Sequence, residues 1–189
     1  MRAGTFRTPH FRAVVPVLLV LLATLTPSAS AQSLYRYAPA TQWGYTYAGP
    51  AANSASGTTP KSANLEKQST IDVNYINFPD WAKKELQLAV DIWAANFQSK
   101  VAITIDATWS SSQSVAVLGS ARPGGYFAGF SGAPDSSLWY PSGLANALAG
   151  KDLDVRSAEM LINVNSRASW NRRGDGAPTT REYDLKSVF

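Results

Sequence analysis

Asp152, Asp154 and Glu159 form the chain's only local cluster of acidic residues. Paired carboxylates can act as acid and base on a glycosidic bond, or hold calcium through hard oxygen ligands. The plainer reading of the same three residues is solvated surface between a helix end and a strand start. Gly129-Phe130-Ser131-Gly132-Ala133 opens like a nucleophile elbow but lacks the closing glycine, and no histidine stands ready to activate Ser131. Gly124-Gly125 and Gly129 are not followed by the Gly-Lys-Ser/Thr of a phosphate cradle, so they read as loop glycines. Arg173-Gly174-Asp175 matches an integrin-binding tripeptide, yet Asp175-Gly176 at its tip favours an ordinary turn.

Two absences narrow the chemistry further. The chain has no cysteine and one histidine, His10, in the N-terminal stretch. Residues 32–189 therefore supply no disulfide, no thiolate nucleophile, no Ser-His-Asp triad, and no zinc site built on imidazole or thiolate. No catalytic residue and no metal ligand can be assigned within them.

Residues 1–31 have the form of a secretory signal. Arg2, Arg7 and Arg12 give a basic start without acidic residues, 13–25 is a largely apolar run of 13 residues, and Ala29-Ser30-Ala31 precedes Gln32 as a cleavage site. As a helix that run spans roughly 20 Å at ~1.5 Å per residue, short of a ~30 Å bilayer core. Cleavage after Ala31 is expected to release an exported chain with no membrane anchor. Three of the 17 basic residues leave with the signal; the 14 remaining face 13 acidic ones, a net +1. The basic pI of about 9.4 is thus partly a targeting effect. With no basic stripe and aromatics not interleaved with cations, a nucleic-acid partner is not expected.

These residues need a frame. All eight tyrosines and all six tryptophans lie beyond the signal, enough aromatic material for one core without disulfides. Residues 32–47 alternate aromatic with small or polar residues (Tyr35, Tyr37, Trp43, Tyr45, Tyr47), which predicts short strands or an extended arm; strand-face packing competes there with a sugar-binding aromatic platform. Residues 48–69 are small, polar and Pro-containing, a connector. Ile71, Val73 and Tyr75 alternate as a half-buried strand. Pro79 and Asp80 then open a helix whose buried stripe is predicted to be Leu86, Val90, Trp93 and Phe97, ending near Ser99. Val101 to Trp109 alternates as a second strand, and strand, helix, strand fits a βαβ unit with parallel strands. Residues 115–118 read as a short strand, and 119–141 as a long aromatic-rich loop packed over the core. A short helix over 142–149 stops at Gly150. Residues 158–165 make a strand with Met160, Ile162 and Val164 on one face. Finally, Asp184 followed by Leu185, Val188 and Phe189 begins an amphipathic helix. The expected organisation is a signal (1–31), an arm and flexible linker (32–70), and a domain (71–189).

From about residue 71 the chain resembles the front part of secreted zincin-type metallopeptidase domains. The likeness rests on Leu88-Ala89-Val90-Asp91-Ile92-Trp93-Ala94, Ala107-Thr108-Trp109, Leu118-Gly119-Ser120-Ala121, Phe130-Ser131-Gly132-Ala133-Pro134, Trp139-Tyr140-Pro141, Leu144-Ala145-Asn146-Ala147-Leu148-Ala149-Gly150 and Tyr183-Asp184-Leu185, taken in order. The resemblance implies an α+β, zincin-like fold: a mixed sheet with one long packing helix, here incomplete. In such proteins the Asp-Leu segment runs into a helix bearing H-E-x-x-H, where two histidines four apart chelate zinc and the glutamate is general base. None of those residues is present, so the ligand roles transfer to no position here. The resemblance also implies that 158–165 could be an edge strand along which a substrate peptide pairs, through Leu161, Ile162 and Asn163; a strand that merely packs is the competing reading.

Three functional expectations follow. One is the N-terminal portion of an exported zinc-dependent protease domain, cut before its zinc helix and inactive as given, with peptide or protein substrates and zinc as cofactor only in the completed domain. The alternative is a secreted, non-catalytic binding or surface module. A carboxylate glycosidase built on Asp152 and Asp154 is the third.

Overall fold

The structure is a computed structural model. It describes residues 35–48, 66–173, 178–179 and 181–189. The expected signal, most of the 48–69 connector and the turn at 174–177 lie outside the described residues.

The element order is β1(Arg36–Pro39), β2(Gly44–Tyr47), β3(Ile71–Ile76), α1(Asp80–Asn96), β4(Ile103–Ser110), β5(Val117–Pro123), β6(Gly125–Ala128), β7(Tyr140–Pro141), α2(Ser142–Ala149), β8(Met160–Asn165) and α3(Leu185–Val188). The fold is mixed α+β with two sheets. Five strands run in the order β2-β5-β8-β4-β3, and three in the order β1-β6-β7.

The expected strand–helix–strand unit is present. β3 and β4 pair in parallel from Ile71 opposite Ile103 to Ile76 opposite Thr108, with α1 between them in sequence. Alternation decides which face of this sheet is dry. Ile105, Ala107, Ile162 and Val164 are buried, while the intervening Asn74 and Asp106 bond to each other at 2.8 Å in an exposed position. Leu86 and Ala82 of α1 and Leu185 of α3 close the main core over the apolar face, with Phe78 and Trp170. A second, smaller core of Phe127, Phe130, Ala145 and Leu153 lies between the three-stranded sheet and α2. Helix α2 stops as predicted, with Gly150 left-handed at φ 67, a conformation open to glycine without a Cβ penalty.

Four expectations change. First, 158–165 is not an edge. β8 lies inside the sheet, with Ile162 opposite Ala107 of β4 on one side and opposite Ala121 of β5 on the other. The backbones of Leu161, Ile162 and Asn163 are flanked by ladders on both sides, so a substrate strand finds no open edge there. An apolar, β-branched run is as well suited to a central strand as to a rim.

Second, the stripe of α1 is buried only along part of its length. Leu86 and Val90 are 1% and 5% exposed, but Trp93 and Phe97 are 47% and 51% exposed. The helix runs past the part of the sheet that α3 helps to cover. Third, the loop predicted for 119–141 contains most of β5 and all of β6. The strand expected at 115–118 instead runs from 117 to 123, and because residues 117–120 are buried throughout no polar alternation marks its continuation. Fourth, the N-terminal arm is built into the domain: β1 pairs with β6 and β2 with β5.

Candidate functional site

Where α1 outruns its cover, a trough of about 560 Å³ opens on the apolar face of the five-stranded sheet. Its floor is Ile103, Ile105, Ala121, Met160 and Ile162, and its helical wall is Leu86, Val90, Trp93 and Phe97. Gly44, Tyr45 and Thr46 of β2 form the opposite rim, and Val188 and Phe189 close one end. No charged side chain lines it. A neighbouring hollow of about 580 Å³ shares Phe97, Ile103, Ala121 and Met160 and continues toward α2 at Leu144 and Ala147. Exposed apolar surface on this scale marks a place where something packs.

The closed end is built with care. Leu185 is fully buried, and Ser187 Oγ–H donates to the Asp184 carboxylate, which steadies the first turn of α3. Phe189 lies against Gly119 of β5 so closely that a Cβ there would collide with its ring and with the Asn163 carbonyl. Trp93 and Phe97 stack with ring centroids 5.1 Å apart along the wall.

The acidic cluster is divided by the structure. Glu159 is buried and accepts from Thr104 N–H at 2.6 Å and from Asn146 Nδ2 at 2.9 Å. Burial pushes its carboxyl above the ordinary range and the charge of Asp152 adds to this, while the accepted hydrogen bonds resist. Asn146 also donates to Asp152 at 3.2 Å, and its own oxygen accepts from Leu153 N–H at 3.0 Å. Asp154 is a turn former: its carboxylate takes Ser157 Oγ–H at 3.0 Å and pairs with Arg156 at 3.3 Å. The space beside Asp152 and Asp154 is about 10 Å³, room for at most one water and far too small for a sugar ring; Glu159 alone of the three also reaches the hollow of about 580 Å³. The cluster fastens α2 and the start of β8 to β4, and the glycosidase expectation loses its site. Among the described residues no group of three or more His, Cys, Asp or Glu is placed to hold a metal ion.

The other motifs resolve into structure. Gly124 sits where any Cβ would collide with the Ala158 carbonyl, so this glycine serves close backbone approach. Gly129 and Gly132 carry φ of 73 and 96, as loop glycines do. Arg173 makes a two-pronged pair with Glu182, at 3.1 Å and 2.7 Å.

Sequence reading missed Arg122 and the pairing of the rim strand β2 with β5. Arg122 donates to Ala40 O at 2.7 Å, and its guanidinium stands 4.9 Å from the centre of the Trp43 ring, which fixes the crossing from β1 to β2. The period-two aromatics at 43, 45 and 47 were the available signal for β2; its partner was not legible. No described helix is long and apolar enough to cross a membrane. Compared with protein-family models, curated proteins and solved structures, the chain matches none.

Proposed function

We propose that this chain is the scaffold portion of an exported, zincin-like zinc metallopeptidase domain, released by cleavage after Ala31. In this reading the trough seats a helix that continues from α3. The observation that carries the reading is the trough itself, an uncharged apolar channel beginning at the docked turn of α3. A helix about 10 Å across with one apolar stripe would bury the exposed Trp93, Phe97 and Met160.

The zinc ligands and the general base of such a domain would belong to that further helix. The residues of this chain do not form the site, so no step of peptide hydrolysis is assigned to them. Their part is to hold the helix at a fixed depth over the sheet. Peptide or protein substrates are proposed for the completed domain alone, and the chain as given is proposed to be inactive.

The test is to read the DNA past codon 189 in all three frames and to express the lengthened product. The reading expects H-E-x-x-H within about 15 codons, the span of a four-turn helix, and chelator-sensitive proteolysis from the longer protein. Absence of that motif, together with a cooperative melt of the secreted 189-codon product, would instead favour the non-catalytic binding module.

A further inference from the structure

The five-stranded sheet has a second face, turned away from α1, α3 and the trough. Directly paired residues share a face, so Tyr45, Ser120, Asn163, Thr108 and Ile76 form one row across all five strands. Arg122, Leu161, Asp106 and Asn74 form the row beside it. Gly119 and Ala121, on either side of Ser120, point the other way, toward Phe189 and the trough. The apolar members of these rows, Tyr45, Ile76 and Leu161, belong to neither core cluster.

Tyr45 and Tyr47 stand at alternate positions of β2, 51% and 64% exposed, with ring centroids 6.3 Å apart. Packing on the strand face therefore accounts for neither ring. Further along the row, Thr108 and Asn163 are directly opposite each other and half-buried. Among the described residues neither of those two side chains has a hydrogen-bond partner. Gln113 Nε2–H donates to Ser120 Oγ at 2.5 Å, but its Oε1 is buried with no partner. An unmet acceptor of this kind costs stability until a donor is supplied. The charges on the face are largely engaged. Asp106 accepts from Asn74 at 2.8 Å, and Arg122 is held by Ala40 O and the Trp43 ring. That leaves Asp72, opposite Thr104 on the far strand, and no field that would match a charged polymer.

We propose that this face binds a neutral glycan, its pyranose rings stacked on Tyr45 and Tyr47 and its hydroxyls bonded to Asn163 and Thr108. A pyranose with equatorial hydroxyls turns an apolar C–H surface toward an aromatic ring, while the hydroxyls around its edge both donate and accept. The unpartnered carboxamide and hydroxyl match that edge. Asn163 lies two strands from Tyr45, about 10 Å at ~4.8 Å per strand, within the span of an oligosaccharide. The ladders hold all these groups on one rigid surface, so binding requires little ordering of the protein. The site lies on the reverse of the sheet from the trough and stands apart from the metallopeptidase reading.

The test is calorimetric titration of the secreted protein with hexasaccharides of β-1,4-linked glucose, β-1,4-linked N-acetylglucosamine and anionic α-1,4-linked galacturonate. Saturable binding of at least one neutral sugar, and none of galacturonate, is the expected result. Tyr45→Ala, Tyr47→Ala and Asn163→Ala should each weaken that binding roughly five- to tenfold. Their melting temperatures should stay close to that of the unmodified protein, since none of the three side chains belongs to a core cluster. Binding of neither neutral sugar, undiminished affinity in the tyrosine variants, or tighter binding of galacturonate overturns the proposal.

Discussion

The Trp93 indole N–H donates to the Phe189 carbonyl oxygen at 2.8 Å across 96 positions of sequence. This bond joins the last turns of α1 to the end of α3, while the Phe189 ring rests on Gly119. Three elements meet there, and the meeting point defines one end of the trough.

That contact predicts the effect of filling the glycine. Gly119→Ala should push the Phe189 ring away and press on the Asn163 carbonyl, which is backbone and cannot yield cheaply. Overpacking of this kind costs about 1–3 kcal/mol. Trp93→Phe, which removes the hydrogen bond together with part of the ring stacked on Phe97, should cost at least the about 0.5–1.5 kcal/mol of that bond. Urea denaturation of both variants checks the order.

Leu185 is the anchor of α3, with no exposed surface. Leu185→Ala should destabilise the protein by about 2–5 kcal/mol, the range for a buried leucine whose cavity cannot collapse. A loss below about 0.5 kcal/mol, typical of surface changes, would mean that the turn is not docked in solution.

Glu159→Ala should leave the Thr104 N–H without its acceptor and the Asn146 amide with Asp152 alone, at about 1–3 kcal/mol for the buried donor left unsatisfied. The pH dependence has a definite sign. Burial raises the folded pKa above the ordinary 4.5, so the folded state holds this proton more tightly than the unfolded chain does. The resulting stability is fully present below pH 4.5 and is lost as pH rises through the raised folded value. The stability of the unmodified protein relative to Glu159→Gln should therefore fall across that window and then level off.

Glu182 behaves in the opposite sense. Hydrogen bonds from Arg173 and from Thr179 N–H bring its carboxyl from 4.5 down to about 2. Its contribution is present above pH 4.5 and disappears as pH falls through about 2. Carboxyl NMR titration should show that midpoint, and Arg173→Ala should raise it toward 4.5, with the Thr179 N–H bond still holding it below.

The trough itself can be probed at Trp93 and Phe97, both about half exposed. Replacing both with serine should sharply lower fluorescence of a hydrophobic dye while the fold is retained, with the lost Trp93–Phe189 bond costing about 0.5–1.5 kcal/mol. Unchanged dye binding would mean that the exposed apolar surface lies elsewhere.

Much of the frame was legible in advance. Alternation at Ile71, Val73 and Tyr75 and again at Ile103, Ile105 and Ala107 identified two half-buried strands, because one face of each meets water. The stop at Gly150 was readable because a left-handed residue after a helix favours glycine. β5 was legible only at its start, where residues 115–118 read as a strand: residues 117–120 are buried throughout, and a strand without a wet face has no alternation to mark its continuation. The role of Glu159 was also hidden, because its partners Thr104 and Asn146 come from separate elements.

What the sequence determined by itself was local: the periods of strands and helices, the glycine stops, and the chemistry closed to a chain with neither cysteine nor histidine after residue 31. Tertiary structure alone decided which strand lies at the edge. It made β8 central and β2 the rim, and it left the lower stripe of α1 uncovered. Strand order depends on pairings between residues far apart in the chain, and no local period encodes them.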